Sequence, residues 1–311
     1  MSHRQIESTA VKTTELVIAF GLIYLIWGST YLAIRFAVET LPPFLMAGVR
    51  FLVSGALLYV WMRARGAERP TLRHWRSTAI VGGLLLLGGN GGVVWAEQVV
   101  PSGITALMIA TVPLWMVLIH WMSPGGERPS TRVWIGVVIG FFGIVLLVNP
   151  FASSNSFRVD PVGAAILCFA TISWSFGSIY SRNAPMPPES LLATAMEMLT
   201  GGAMLALMGT VIGEWSRLNL ADASFKSLVS VLYLIVFGSL VAFSAYTWLL
   251  KNASPARVST YAYVNPVIAV FLGWALADEV LNSRIFVAAA VIILAVILIT
   301  TYRDKLPSST K

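Results

Sequence analysis

The chain has 311 residues, 57% of them apolar and 11% charged, with a formal net charge of +7. So greasy a composition excludes an ordinary soluble domain and predicts an all-α integral membrane protein, because its apolar runs have the length of bilayer-crossing helices. The positive charge is read as loop arginines that orient the spans rather than as a nucleic-acid surface, and the single cysteine, Cys168, has no partner for an internal disulfide.

Ten transmembrane helices are predicted, at 15–36, 44–62, 77–96, 102–122, 133–149, 160–181, 189–212, 227–250, 256–276 and 284–302. The first run is followed by no small-residue cleavage site, so it is expected to stay as a helix. With ten spans both termini share a side. Fifteen basic residues, among them Arg63, Arg65 and Arg69, fall on the N-terminal side, against Arg35, Arg158, Arg217, Lys226 and Arg284 opposite. That bias places the tails, 1–14 and 303–311, in the cytoplasm.

Taken in order, helix 1 carries Trp27 and Tyr31, four apart and so on one face. Helix 2 carries Arg50, near enough to its outer end for the head group to snorkel to the interface. Helix 3 reads "GGLLLLGGNGGVVWAE". Its glycines let helix backbones approach, while Asn90 needs partners, either in a neighbouring helix or in a polar cavity. Glu97 closes it. Helix 4 has Pro101 in its first turn and Pro113 in its interior, where the ring would free the carbonyl of Ile109; Trp115 follows. Helix 6 places Trp174 and Ser178 together, and helix 7 holds Glu197 at membrane depth. Helix 8 sets Ser239, Phe243 and Tyr246 on one face. Helix 9 repeats the double proline with Pro255 and Pro266, and puts Tyr261 four before Asn265. Stripes of this kind serve as packing or as the wall of a cavity. Trp27, Trp115 and Trp174 lie deeper than the other tryptophans of the belt type, which makes them wall candidates. Pro113 and Pro266 are candidate kinks or hinges. Glu197, and after it Glu97, are the candidate ion-coupling acids, because intramembrane charge is costly.

The chain also repeats itself. "WGSTYLAIR" from Trp27 to Arg35 matches "WSFGSIYSR" from Trp174 to Arg182, 147 residues on. The double prolines recur 153 to 154 residues on, and "ERPSTR" (Glu127, Arg132) recurs as "EVLNSR" (Glu279, Arg284), 152 on. These acid-to-arginine loops are expected to cap and orient helices 5 and 10. Five helices per copy is an odd number, so the second copy, 160–302, enters the membrane inverted relative to the first, 15–149. Inverted repeats favour alternating access.

The segments "LIWGSTYLAIR", "PPFLMAGVRFLVSG", "GGNGGVVWAEQVVPSGITALMIATVPLW", "ISWSFGSIYSR" and "SPARVSTYAYVNPVIAVFLG" resemble the EamA-type branch of the drug/metabolite transporter superfamily, most closely its YedA-like bacterial inner-membrane members. The resemblance runs through both halves. It implies two EamA repeats around a central cavity bordered by helix 3, and export of small metabolites, amino acids among them. One departure is Arg50 in helix 2, where the corresponding stretch of helix 7 carries Glu197.

The expected function is therefore a secondary transporter, with a flippase or exchanger for a lipid-linked or nucleotide-linked substrate as the alternative. An intramembrane enzyme would need a nucleophile with a base, paired carboxylates or a metal cluster. The histidines His3, His74 and His120 lack metal-ligand spacing, and no catalytic residue, metal or cofactor is predicted. A cavity of aromatic, hydroxyl and amide groups without fixed charge would suit zwitterionic or weakly polar molecules. The partners expected are the lipid bilayer and a small-molecule substrate, with the chain as a monomer.

Overall fold

Long apolar stretches wind into helices whose outer faces are themselves apolar, because in lipid the backbone must satisfy its own hydrogen bonds. The computed structural model describes residues 13–123, 126, 128–149, 159–253, 255–258 and 260–302, and among these it contains helices and no strand. The tails 1–12 and 303–311, Glu127 and Arg158 lie outside the described residues.

The first half comprises α1 (Thr13–Ala37), α2 (Pro43–Ala64), α3 (Leu72–Gly82), α4 (Gly91–Ala96), α5 (Ser102–Ile109), α6 (Val112–Met122) and α7 (Thr131–Val148). The second comprises α8 (Pro161–Ser181), α9 (Ser190–Val211), α10 (Phe225–Tyr233), α11 (Ala242–Asn252), α12 (Pro255–Val258), α13 (Tyr261–Ala277) and α14 (Ser283–Tyr302). A π-helical stretch, Gly83–Asn90, joins α3 to α4 in one continuous rod, and another, Leu234–Val241, joins α10 to α11. Counting each rod once, nine helices are long and apolar enough to cross a membrane among the described residues; Tyr261–Ala277 is apolar but shorter. Val17, Leu25, Phe142, Phe169, Phe271 and Phe286 face outward, as lipid-facing side chains do.

Three local outcomes differ from the sequence expectations. The third rod starts at Leu72, five residues before the predicted 77. Thr71 Oγ1 accepts from the His74 N–H at 3.3 Å while the Thr71 N–H donates to His74 Nδ1 at 3.4 Å, so a reciprocal cap starts the helix ahead of its apolar run. Predicted helix 4 is broken at Ala110–Thr111. Pro113 thus stands in the first turn of α6, where its missing N–H costs no helix bond, whereas Pro266 does lie inside α13. Third, the caps of α7 and α14 are not acids: Ser130 Oγ accepts from Val133 N and Asn282 Oδ1 from Ile285 N.

Glu279 turns away from α14 and caps α5 instead. Its Oε1 accepts from Ser102 N at 2.6 Å and Ser102 Oγ at 2.7 Å, and its Oε2 from Gly103 N at 3.0 Å. Glu214 does the same for α2, accepting from Phe44 N at 3.2 Å and Leu45 N at 2.8 Å. A carboxylate at a helix N-terminus meets both orphan donors and the positive end of the dipole. At both places a residue of the second half closes a helix of the first.

Side-by-side packing follows the small residues. α2 lies against α9, where a Cβ on Gly48 would stand 2.9 Å from Ala206 N, one on Gly55 2.9 Å from Leu199 N, and one on Gly202 2.9 Å from Leu52 N. Only glycine lets these backbones approach so closely. α7 packs on α14, α1 on α13, and α8 on the π-helical stretch of the third rod.

Candidate functional site

Four rings meet where α1, α11 and α13 converge. Trp27 has its ring centroid 5.1 Å from that of Tyr246, 5.3 Å from Tyr261 and 5.3 Å from Phe243, and Tyr246 lies 5.9 Å from Tyr261. The edge-on and tilted arrangements are those the ring quadrupoles favour. The Trp27 Nε1–H donates to the Gly238 carbonyl at 3.3 Å, a group on the π-helical turn between α10 and α11. Tyr31 lies one turn along α1 from Trp27 and packs against the main apolar core.

Arg50 reaches the same turn from α2. Its Nε–H donates to Ser239 Oγ at 3.1 Å, and its guanidinium carbon lies 4.6 Å from the centre of the Phe51 ring. At 4% exposure the side chain faces inward and does not snorkel, contrary to the sequence expectation. No ion pair joins it to an acid among the described residues. Glu97 is 0% exposed, so it too is no surface group at a helix end. Arg35 Nη1 donates to the Glu97 main-chain oxygen at 2.6 Å. The interior therefore buries ionisable side chains of both kinds.

Several buried polar atoms have no hydrogen-bond partner among the described residues. They are Arg50 Nη1, both Glu97 carboxylate oxygens, Asn90 Oδ1, Thr105 Oγ1, Trp115 Nε1 and Asn265 Oδ1. Buried polar groups are ordinarily paired, which singles these out as candidate polar contacts. Asn90 ends the π-helical stretch of the third rod, and Asn265 precedes the in-helix proline of α13.

The other sequence-chosen residues are placed elsewhere. Trp115 meets Phe141 of α7 edge-on at 5.0 Å. Trp174 packs on Gly89, where a Cβ would lie 2.7 Å from its Cε3. Ser178 is half-buried one turn beyond it, its carbonyl accepting from Ser181 Oγ at 3.0 Å. Glu197 is half-buried on α9, with its backbone oxygen 2.7 Å from where a Gly82 Cβ would be. Two groups were missed outright. Thr105 shows nothing in its sequence neighbourhood to mark it. The Ser29 hydroxyl meets Tyr233 at 2.6 Å, a contact between residues 204 apart that no local pattern announces. Among the described residues no group of His, Cys, Asp or Glu could hold a metal ion.

Comparison with known proteins gives these features a setting. The model of the EamA-like transporter family matches residues 16–149 and again 161–301. The chain is 41% identical over 302 residues to an uncharacterized inner membrane transporter, YedA, of Escherichia coli (strain K12), covering 96% of this chain and 95% of that protein. It is 21% identical to a probable amino-acid metabolite efflux pump of the same organism, over 87% of this chain and 90% of that one. A solved crystal structure superposes with a TM-score of 0.63 at 22% identity, covering 96% of this chain and 100% of the other, a likeness of fold.

Proposed function

Because the chain belongs to the EamA-like transporter family, we propose that it is a secondary transporter that exports small metabolites, amino acids among them, from the cytoplasm of a bacterium. The reading has ten helices in two inverted five-helix repeats, 15–149 and 160–302, in the inner membrane, with both termini cytoplasmic and one copy sufficient. The single observation that carries it is the ring cluster that Trp27 of the first half forms with Phe243, Tyr246 and Tyr261 of the second, with the unpartnered Asn265 Oδ1 one turn along α13 from Tyr261. The double family match and the inner-membrane relative support the same reading.

In this account the rings of Trp27, Tyr246 and Tyr261 form one wall of the cavity, and Tyr31, Asn90 and Asn265 offer polar contacts. Trp115, Trp174 and Ser178 extend the wall from α6 and α8. The break before Pro113 and the kink at Pro266 are where the helices of the two halves bend. A coupling proton, if the transporter uses one, has Glu97 and Glu197 as its available carriers. A nucleotide-linked substrate would need several cavity cations, and the deep basic residue here is Arg50, opposed by Glu97.

The test is efflux from proteoliposomes loaded with a mixed pool of amino acids and other small metabolites, read by mass spectrometry with and without a proton gradient. Selective loss of a few species, reduced about tenfold or more in Asn265→Ala with normal insertion, is the expected result. No efflux of any solute would refute it.

A further inference from the structure

The second half of the chain follows the register of the first along α2 and α9. Pro43–Ala64 and Ser190–Val211 are each 22 residues long, begin 147 residues apart and lie antiparallel, so the two ends of the pair, about 33 Å apart, are built from equivalent positions. Just past each helix stands a left-handed glycine, Gly66 at φ 87° and Gly213 at φ 78°. The next residue differs. Glu214 follows Gly213, is 1% exposed, and accepts from Phe44 N at 3.2 Å and Leu45 N at 2.8 Å in the first turn of α2. Gly209 leaves room for it, since a Cβ there would lie 2.9 Å from Glu214 Oε2. At the other end Ala67 follows Gly66 and packs with Met196 and with Leu192, the residue of α9 equivalent to Leu45. Met62 occupies the position equivalent to Gly209 and packs on the same cluster. Glu189, the N-cap residue of α9, makes no side-chain bond to the first turn of that helix.

The backbones share this asymmetry. Toward the Glu214 end glycine brings them together, a Cβ on Gly48 standing 2.9 Å from Ala206 N, whereas the position equivalent to Ala206 is Tyr59, whose ring packs on the Ala67 cluster. One end is thus joined by charge-assisted hydrogen bonds and close backbones, the other by side chains, two of them methionines that re-pack readily. In a membrane, apolar contact gives helices little net adhesion, because lipid tails offer the same contact. We propose that α2 and α9 form a lever pinned at Glu214, whose Ala67 end parts and closes. The proposal rests on the exporter reading and deepens it. In the orientation read from the loop arginines the Ala67 end is cytoplasmic, so the mouth this lever opens is the one at which an exporter loads. Glu279, which caps α5 from the second half, holds the opposite face a second time.

The test measures spin-label distances in the purified full chain in nanodiscs, in a Cys168→Ser background. Ala64→Cys with Ser190→Cys reports the Ala67 end, and Val49→Cys with Val211→Cys the Glu214 end. Two distances are expected from the first pair and one from the second. Moving the clasp across, as Met62→Gly with Ala67→Glu, should leave the first pair at its shorter distance, raise the melting temperature and slow efflux from proteoliposomes about tenfold. Glu214→Ala should split the second pair, and Glu214→Gln, which still accepts hydrogen bonds, should split it less. Two distances at the Glu214 end of the otherwise unsubstituted chain, or one distance at both ends, would overturn the lever. Unchanged efflux with the first pair held at its shorter distance would overturn its part in transport. If the transplanted clasp lowers the melting temperature, that variant misfits, and the label distances without it decide. Two distances at the Ala67 end alone, from a chain that exports no solute, would keep the lever and remove the exporter reading.

Discussion

Trp27 joins two kinds of contact, three ring neighbours and one hydrogen bond to the Gly238 carbonyl. Trp27→Phe keeps an aromatic ring and removes the donor. It should cost about 1 kcal/mol, read as a lower melting temperature in detergent, with transport largely kept. Trp27→Ala removes the rings' common neighbour and should lower both stability and efflux; unchanged efflux would take Trp27 out of the cavity wall. Helical spacing made Trp27 with Tyr31, and Tyr261 with Asn265, legible as shared faces, because that information is local. It could not tell that Trp115 turns toward Phe141 and Trp174 toward Gly89, since those choices are made by the neighbouring helix. Arg50 shows the same limit more sharply. Its distance from the helix end allowed snorkelling, and only the apposition of the Leu234–Val241 turn, nearly two hundred residues on, draws it inward to Ser239.

Between elements, the caps decide which helix ends are held together. Glu279→Ala would strip three donors at the start of α5 of their acceptor. A loss of about 2 kcal/mol or more is expected, read as a fall in melting temperature, and Glu279→Gln, which can still accept, should lose less. Equal losses would mean that the charge plays no part. The close approach of α2 and α9 makes a second prediction. Gly202→Val should reduce the yield of folded protein severely, because its Cβ alone would stand 2.9 Å from Leu52 N and 3.1 Å from Phe51 Cβ. A normal yield would show that the two helices separate at little cost. Helix positions were legible to within a few residues because apolar length is a strong signal. The Thr71 cap extended one beyond its apolar run, and the acid before Arg284 was legible as a cap while its target was not. The extra residue per turn in Gly83–Asn90 and Leu234–Val241 has no sequence rule; glycine clusters and packing across the bundle permit it.

At the scale of the whole molecule, the loop arginines predict an orientation that cysteine labelling can check. In a Cys168→Ser background, Leu220→Cys should react with a membrane-impermeant maleimide from outside intact cells, and Arg69→Cys should react only after the membrane is opened. The reverse pattern would place both termini outside and undo the positive-inside reading. The two-part organisation was legible from the repeated Trp-to-Arg and double-proline segments, and the family model matches the chain in the same two stretches. What the repeat does not reveal is its interior chemistry, since Arg50, Glu97 and Ser239 have no repeated motif to mark them.

The central claim is that this chain carries its substrate by alternating access through the chamber between the two halves. Counterflow tests it most directly: proteoliposomes loaded with a high concentration of an exported amino acid are diluted into a trace of the labelled form. A carrier returns faster loaded than unloaded, so the label should accumulate transiently inside above its outside concentration. Label that only equilibrates, at a rate indifferent to the internal pool, would contradict the account and point to a pore.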